Sequence, residues 1–119
     1  MDNILSPKSY RFALRTVKLY KWLISNYNEY VLSKQFLRSG TAIGALIREA
    51  EHAQSKADFL NKMNVALKEA NETEYWLMLL KDAEYLSEKE YESINLDCQE
   101  LVKLLISIVK STKKSLNRS

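Results

Sequence analysis

Along this chain apolar residues return at intervals of three and four over stretches much longer than a strand, the mark of amphipathic helix. The first stretch follows Ser6-Pro7, a helix-start pair: serine accepts from free N–H groups, and proline at the first helical position forfeits no bond. Phe12, Val17, Tyr20, Leu23, Ile24 and Tyr27 then fill about half of the helix circumference, and Asn26 to Asn28 is the predicted break. A second helix is predicted over about 32–53 and a third, opened by Ser55 with Asp58, over about 56–85. The fourth, over about 88–114, opens on Ser87 with Glu90 three residues later, a capping box, and the residues from about Lys113 are expected to fray. Short connections between long amphipathic helices force antiparallel neighbours. The expected fold is therefore all-α, a single domain over 1–119 built as an antiparallel up-down-up-down four-helix bundle.

Two local patterns bear on packing. In the fourth helix Ile94, Cys98, Leu101, Leu105 and Ile108 form a coiled-coil-like seam. Val102, Leu104, Ile106 and Val109 widen its apolar arc to roughly 200°, more than one buried face requires. A thick core is one reading; burial of the surplus against another subunit is the sharper one. In the second helix Gly40 and Gly44 lie four apart, and each mid-helix glycine costs up to ~1 kcal/mol against alanine. Something is expected to pack there too closely for a methyl group, at a helix crossing or a subunit contact, with a ligand contact as the alternative.

Composition narrows the class. Two glycines and one proline in 119 residues leave no turn chemistry for an all-β fold. The single cysteine, Cys98, excludes an intramolecular disulfide and suits a reducing compartment. Met1 to Phe12 carries Asp2, Lys8 and Arg11 without an apolar run, so no signal peptide is expected. The densest apolar runs, Trp76–Leu80 and Leu104–Val109, fall far below the ~18 residues of a membrane span. A cytoplasmic protein with no membrane partner is expected.

Material for catalysis is scarce: one histidine, one cysteine and no glycine-rich phosphate loop. Glu49 and His52 have the Glu-x-x-His spacing of di-iron bundles, but the second histidine such a site needs does not exist. No enzyme, metal or cofactor is expected. Glu69, Glu72 and Glu74, with Arg38 and Arg48 available, read as salt-bridging residues, and Tyr75 and Trp76 as core or interface anchors.

Charge is distributed unevenly. Residues 3–48 carry eight basic side chains against one acid, Glu29; residues 49–100 carry five against thirteen; residues 101–119 carry five and no acid. Lys8, Arg11, Arg15, Lys18 and Lys21 recur at spacings of three and four and share an arc of roughly 140° on the first helix. No acid lies in residues 3–28 to neutralise them. Lys103, Lys110 and Lys114, with Lys113, form a sparser stripe on the fourth helix. The up-down topology places the chain termini at one end, where Lys8 and Arg11 could approach Lys110 to Lys114. These nine residues are the candidate nucleic-acid-binding face, for RNA or DNA, recognised through phosphates. A solvated charged face is the plain alternative, and an anionic membrane or acidic protein a further one.

Three blocks in the middle of the chain resemble the family of 23S rRNA intervening-sequence proteins. They are Leu37-Arg38-Ser39-Gly40-Thr41-Ala42-Ile43-Gly44-Ala45 with Glu49-Ala50, then Ser55-Lys56-Ala57-Asp58-Phe59, then Ala66-Leu67-Lys68-Glu69-Ala70-Asn71-Glu72-Thr73-Glu74-Tyr75-Trp76-Leu77. Their order and separations extend the likeness over residues 8 to 115. The resemblance implies an up-down four-helix bundle assembling into a ring-like homopentamer. A related branch, the accessory variability determinants of diversity-generating retroelements, implies nucleic acid and a reverse transcriptase as further partners. It implies no catalytic residue. The expected function is thus a non-enzymatic homo-oligomer that binds nucleic acid, with a protein-interaction scaffold as the alternative.

Overall fold

The structure, a computed structural model, describes residues 4–118. It is an antiparallel bundle of four helices: α1 (Leu5–Tyr27), α2 (Leu32–Ala50), α3 (Lys56–Asp82) and α4 (Glu88–Asn117). The bundle measures 52 × 22 × 21 Å, long and narrow as helices of 19 to 30 residues dictate. Each helix packs most closely on its sequence neighbours, and the α1–α4 flank is much the loosest of the four seams.

Helix ends follow local chemistry. Ser87 accepts from the Glu90 N–H and the Glu90 carboxylate accepts from the Ser87 N–H, the complete capping box that opens α4. Ser55 caps α3 by accepting from Asp58 N–H. α1 starts differently from the sequence expectation: Leu5 is already helical, Ile4 precedes it without a side-chain cap, and Ser6 and Pro7 lie inside the first turn. Proline is harmless there because the first N–H groups of a helix have no intrahelical partner. Asn28 ends α1 in the left-handed region at φ 52°, which asparagine tolerates better than most residues.

α2 stops at Ala50 rather than near 53, because Glu51 and His52 turn the chain toward α3. α3 stops at Asp82 rather than 85: Glu84 adopts φ 70°, and Tyr85 and Leu86 N–H both return to the Leu80 carbonyl. α4 runs on through Lys113 and Lys114 to Asn117, past the expected end near 114.

The core is built from Leu5, Phe12 and Leu23 of α1, Phe36, Ile43 and Ile47 of α2, Met63, Leu77 and Leu80 of α3, and Ile94, Cys98, Leu101 and Leu105 of α4. Two features depart from the hydrophobic pattern. Val17 and Tyr27, counted among the core-facing residues of α1, are only half-buried or exposed, while Ser9 and Thr16 occupy buried positions instead. On α4 the seam continues into Val109, with Ile108, Val102 and Leu104 half-buried against the core and Ile106 39% exposed. Much of the surplus apolar arc therefore thickens this bundle's own core.

Buried threonine hydroxyls bond within their own helices, Thr16 to the Phe12 carbonyl at 2.9 Å and Thr73 to that of Glu69 at 2.7 Å. Thr73 also donates across to Ser39 Oγ at 2.9 Å, tying α3 to α2. Small side chains let these helices approach. A Cβ built on Gly40 would stand 2.7 Å from both Thr16 Cγ2 and Oγ1, whereas one on Gly44 would meet its nearest atom, Ser9 O, at 3.4 Å.

Candidate nucleic-acid interface

The basic stripe of α1 divides in the folded protein. Lys8 and Arg15 lean onto α4: Lys8 Nζ donates to Glu100 at 2.8 Å, and Arg15 donates to Asp97 at 2.8 Å and to the hydroxyl and carbonyl of Ser93 at 2.6 and 3.2 Å. Arg11, Lys18 and Lys21 are exposed and have no ion-pair partner among the described residues. The reason is angular: Lys8 and Arg15, seven apart, lie on the side of α1 that meets α4, while Arg11 and Lys18 are rotated outward.

On α4, Lys103, Lys110, Lys113 and Lys114 are likewise exposed, with no ion pair among the described residues. Lys8 lies beside Glu100, and Lys110 is ten residues further along α4, about 15 Å at 1.5 Å per residue. Lys8 and Arg11 therefore neighbour Asp97 and Glu100 rather than Lys110 to Lys114. The lysines at 110–114 instead mark the end of the bundle where α3 begins, and there Lys56 Nζ donates to Ser115 Oγ at 2.6 Å. One flank thus presents Arg11 and Lys18 from α1 and Lys103 and Lys110 from α4, with two neutralised pairs in the seam between them.

Upward along the same seam the helices part, leaving an open groove of about 580 Å³. Its walls are Leu19 and Trp22 from α1, Leu86 from the α3–α4 connection and Ile94 from α4, and its rim carries Arg15, Lys18, Lys89 and Glu90. Lys89 escaped the sequence reading. Its spacing of fourteen from Lys103 and twenty-one from Lys110, multiples of seven, was the available signal. Trp22 was equally unremarked, because neither its exposure nor its neighbours can be read from one helix.

Charges elsewhere are held in structural contacts. Arg38 donates to both oxygens of Glu69 at 3.0 and 3.2 Å and to Glu72, which also accepts from the Trp76 indole at 2.9 Å. Indole and guanidinium together hold the Glu72 carboxyl below its usual range, and the two carboxylates raise Arg38. Glu49 pairs with Lys62 at 3.4 Å and His52 is exposed in the turn after α2. Burial raises the Cys98 thiol, with the charges of Glu74 and Asp97 adding to it, and its sulfur lies 3.5 Å from the Ala70 carbonyl inside the core. Glu29, the single acid of residues 3–48, sits before α2, where its carboxylate accepts from Val31, Leu32 and Ser33 N–H at 3.2, 2.9 and 2.8 Å. Among the described residues no group of three potential metal ligands clusters, and no helix is long and apolar enough to cross a membrane.

With this geometry established, known proteins offer a comparison. The sequence pattern described as 23S rRNA-intervening sequence protein matches residues 1–107. A crystal structure from Bacteroides thetaiotaomicron, described as a protein with unknown function from the S23 ribosomal protein family, is 63% identical. It superposes with a TM-score of 0.89, covering 90% of this chain and 99% of its own. No curated protein matches the chain.

Proposed function

The chain belongs to the family of 23S rRNA-intervening sequence proteins, and from that premise we propose a non-enzymatic homo-oligomer that binds nucleic acid through phosphates on its α1–α4 flank. The observation that carries this reading is the set of exposed cations with no ion pair among the described residues, Arg11 and Lys18 on α1 with Lys103, Lys110, Lys113 and Lys114 on α4. Phosphate contacts of this kind position a nucleic acid without reading its bases, so binding is weakly sequence-specific. Assembly as a ring of five, the number the family resemblance implies, repeats each modest patch and lets the contacts add through avidity.

The test is fluorescence anisotropy with labelled RNA and DNA over a salt series. Binding that weakens steeply with salt is expected. Arg11→Gln with Lys18→Gln, and separately Lys110→Gln with Lys114→Gln, should each lower the log–log slope by roughly 1.5, because each phosphate contact contributes about 0.7–0.9. Slopes unchanged in both variants would exclude this face.

A second reading is favoured by the Lys8–Glu100 and Arg15–Asp97 pairs, which divert two of the five α1 cations into the chain's own architecture. On that reading the protein is an interaction scaffold. No nucleic-acid binding at low salt, with a protein partner that survives nuclease treatment, would establish it over the first.

A further inference from the structure

The groove on the α1–α4 seam joins an apolar floor to a cationic rim. Its volume of about 580 Å³ lies within the roughly 300–1,000 Å³ of sites that enclose a small ligand. Arg15 on the rim is held by Asp97, whereas Lys18 and Lys89 are exposed and have no ion pair among the described residues. The one acid of the rim, Glu90, is tied into the cap of α4, where its carboxylate accepts from the Ser87 N–H at 2.8 Å.

Trp22 gives the groove a flat aromatic wall. Its ring stands edge-on to Tyr27 with centroids 5.4 Å apart, and Tyr27 stands edge-on to Tyr85 at 5.3 Å, so three rings brace one another where α1 ends. Trp76, by contrast, gives its indole N–H to Glu72, while the Trp22 indole has no acceptor among the described residues. A half-buried indole with an open donor suits a ligand that is flat, apolar on its face and hydrogen-bonding at its edge.

The cations continue beyond the groove. Lys103 lies fourteen residues from Lys89, about 21 Å along α4, and Arg11 lies seven from Lys18, about 10 Å along α1. A single anionic headgroup would reach the rim alone, whereas a polyanion can follow the whole track. We propose that the groove takes one unpaired base of a single-stranded nucleic acid, laid against Trp22, with the adjoining phosphates on Lys18 and Lys89. This assignment rests on the nucleic-acid reading above and names the form of nucleic acid that the same flank takes. Bases inside a duplex are covered on both faces by their neighbours, so a duplex can use the phosphate contacts but not the groove. Every base has a π-face, and the contact therefore selects single strands without selecting a sequence.

Fluorescence anisotropy with a mixed-sequence single strand, and with the duplex formed from it, tests the assignment. The single strand should bind more tightly. Trp22→Leu should weaken single-strand binding roughly 5- to 150-fold, the loss of one base–aromatic stack, and leave duplex binding and both salt slopes unchanged. The single strand should also quench the wild-type tryptophan emission, and it should not quench the Trp22→Leu variant, which emits from Trp76 alone. Should that variant fail to fold, the wild-type quenching by single strand and not by duplex decides the matter. Equal affinities for the two forms, with Trp22→Leu silent, would overturn the assignment and leave the phosphate reading standing. Equal losses for both forms would show Trp22 to be structural and would also overturn it. Quenching by phosphatidylglycerol vesicles but not by the single strand would give the groove to a lipid surface instead. Absence of binding to either form at low salt would remove the nucleic-acid reading itself.

Discussion

Gly40 and Gly44 look equivalent in the sequence and are not equivalent in space. A methyl group on Gly40 would collide with Thr16, which is fully buried and anchored to the Phe12 carbonyl, so the neighbour has little room to yield. Overpacking of this kind costs about 1–3 kcal/mol, while the gain in helix propensity returns at most ~1. Gly40→Ala should therefore cost about 1–2 kcal/mol of stability, read as a lower urea midpoint. At Gly44 the nearest atom, 3.4 Å away, is an ordinary contact, and Gly44→Ala should be neutral or stabilise by up to ~1 kcal/mol. Equal losses at both positions would mean that the α1–α2 crossing is not what holds Gly40. The sequence supplied the spacing and a reason to suspect crowding; it could not say which glycine is crowded, because Thr16 lies twenty-four residues away on another helix.

At the scale of elements, local signals were legible and distant ones were not. The Ser87–Glu90 box could be read directly because both partners lie within four residues and act only on each other. The start of α1 differs from the expectation at Ser6-Pro7, where a strong capping pair falls inside a helix that begins two residues earlier, at Leu5. Lys8 and Arg15 read as free cations because their acids, Glu100 and Asp97, lie more than eighty residues away.

Glu29 was counted as a lone charge, yet its carboxylate satisfies three of the N–H groups that α2 leaves open at its start. Burial alone would raise this carboxyl; the hydrogen bonds from Ser33, Leu32 and Val31 outweigh it, and the folded value lies below the ordinary one. The sign follows. A depressed folded pKa gives stability that is complete above the unfolded value and is lost as pH falls through the folded one. Glu29→Ala should cost about 1 kcal/mol at pH 7, as loss of a helix cap does. The difference from wild type should shrink in acid, once the carboxyl is protonated in both states. A gap that persists unchanged at pH 2 would show that the carboxylate charge is not what caps α2.

For the whole molecule, hydrophobic periodicity was enough to give four antiparallel helices in order, since each helix needs only its neighbours in sequence to hide its apolar stripe. The same periodicity could not show that α1 and α3 each keep apolar side chains outside, Tyr10 and Leu14 on one and Tyr75 and Met78 on the other, because that requires knowing which side of each helix the core has taken. The uneven seams have a further consequence, for the order in which the fold forms and comes apart. α2 and α3 are each gripped by two close neighbours, whereas α1 and α4 share the loose flank and rely on one close neighbour apiece. Folding can then run along the chain from one hairpin to the next, with the long loop from α1 to α4 closing last and returning little when it closes. Hydrogen exchange on the protein should find the slowest amides in α2 and α3, with α1 and the far end of α4 opening first. The seam that nucleic acid is proposed to use is thus the one expected to loosen first.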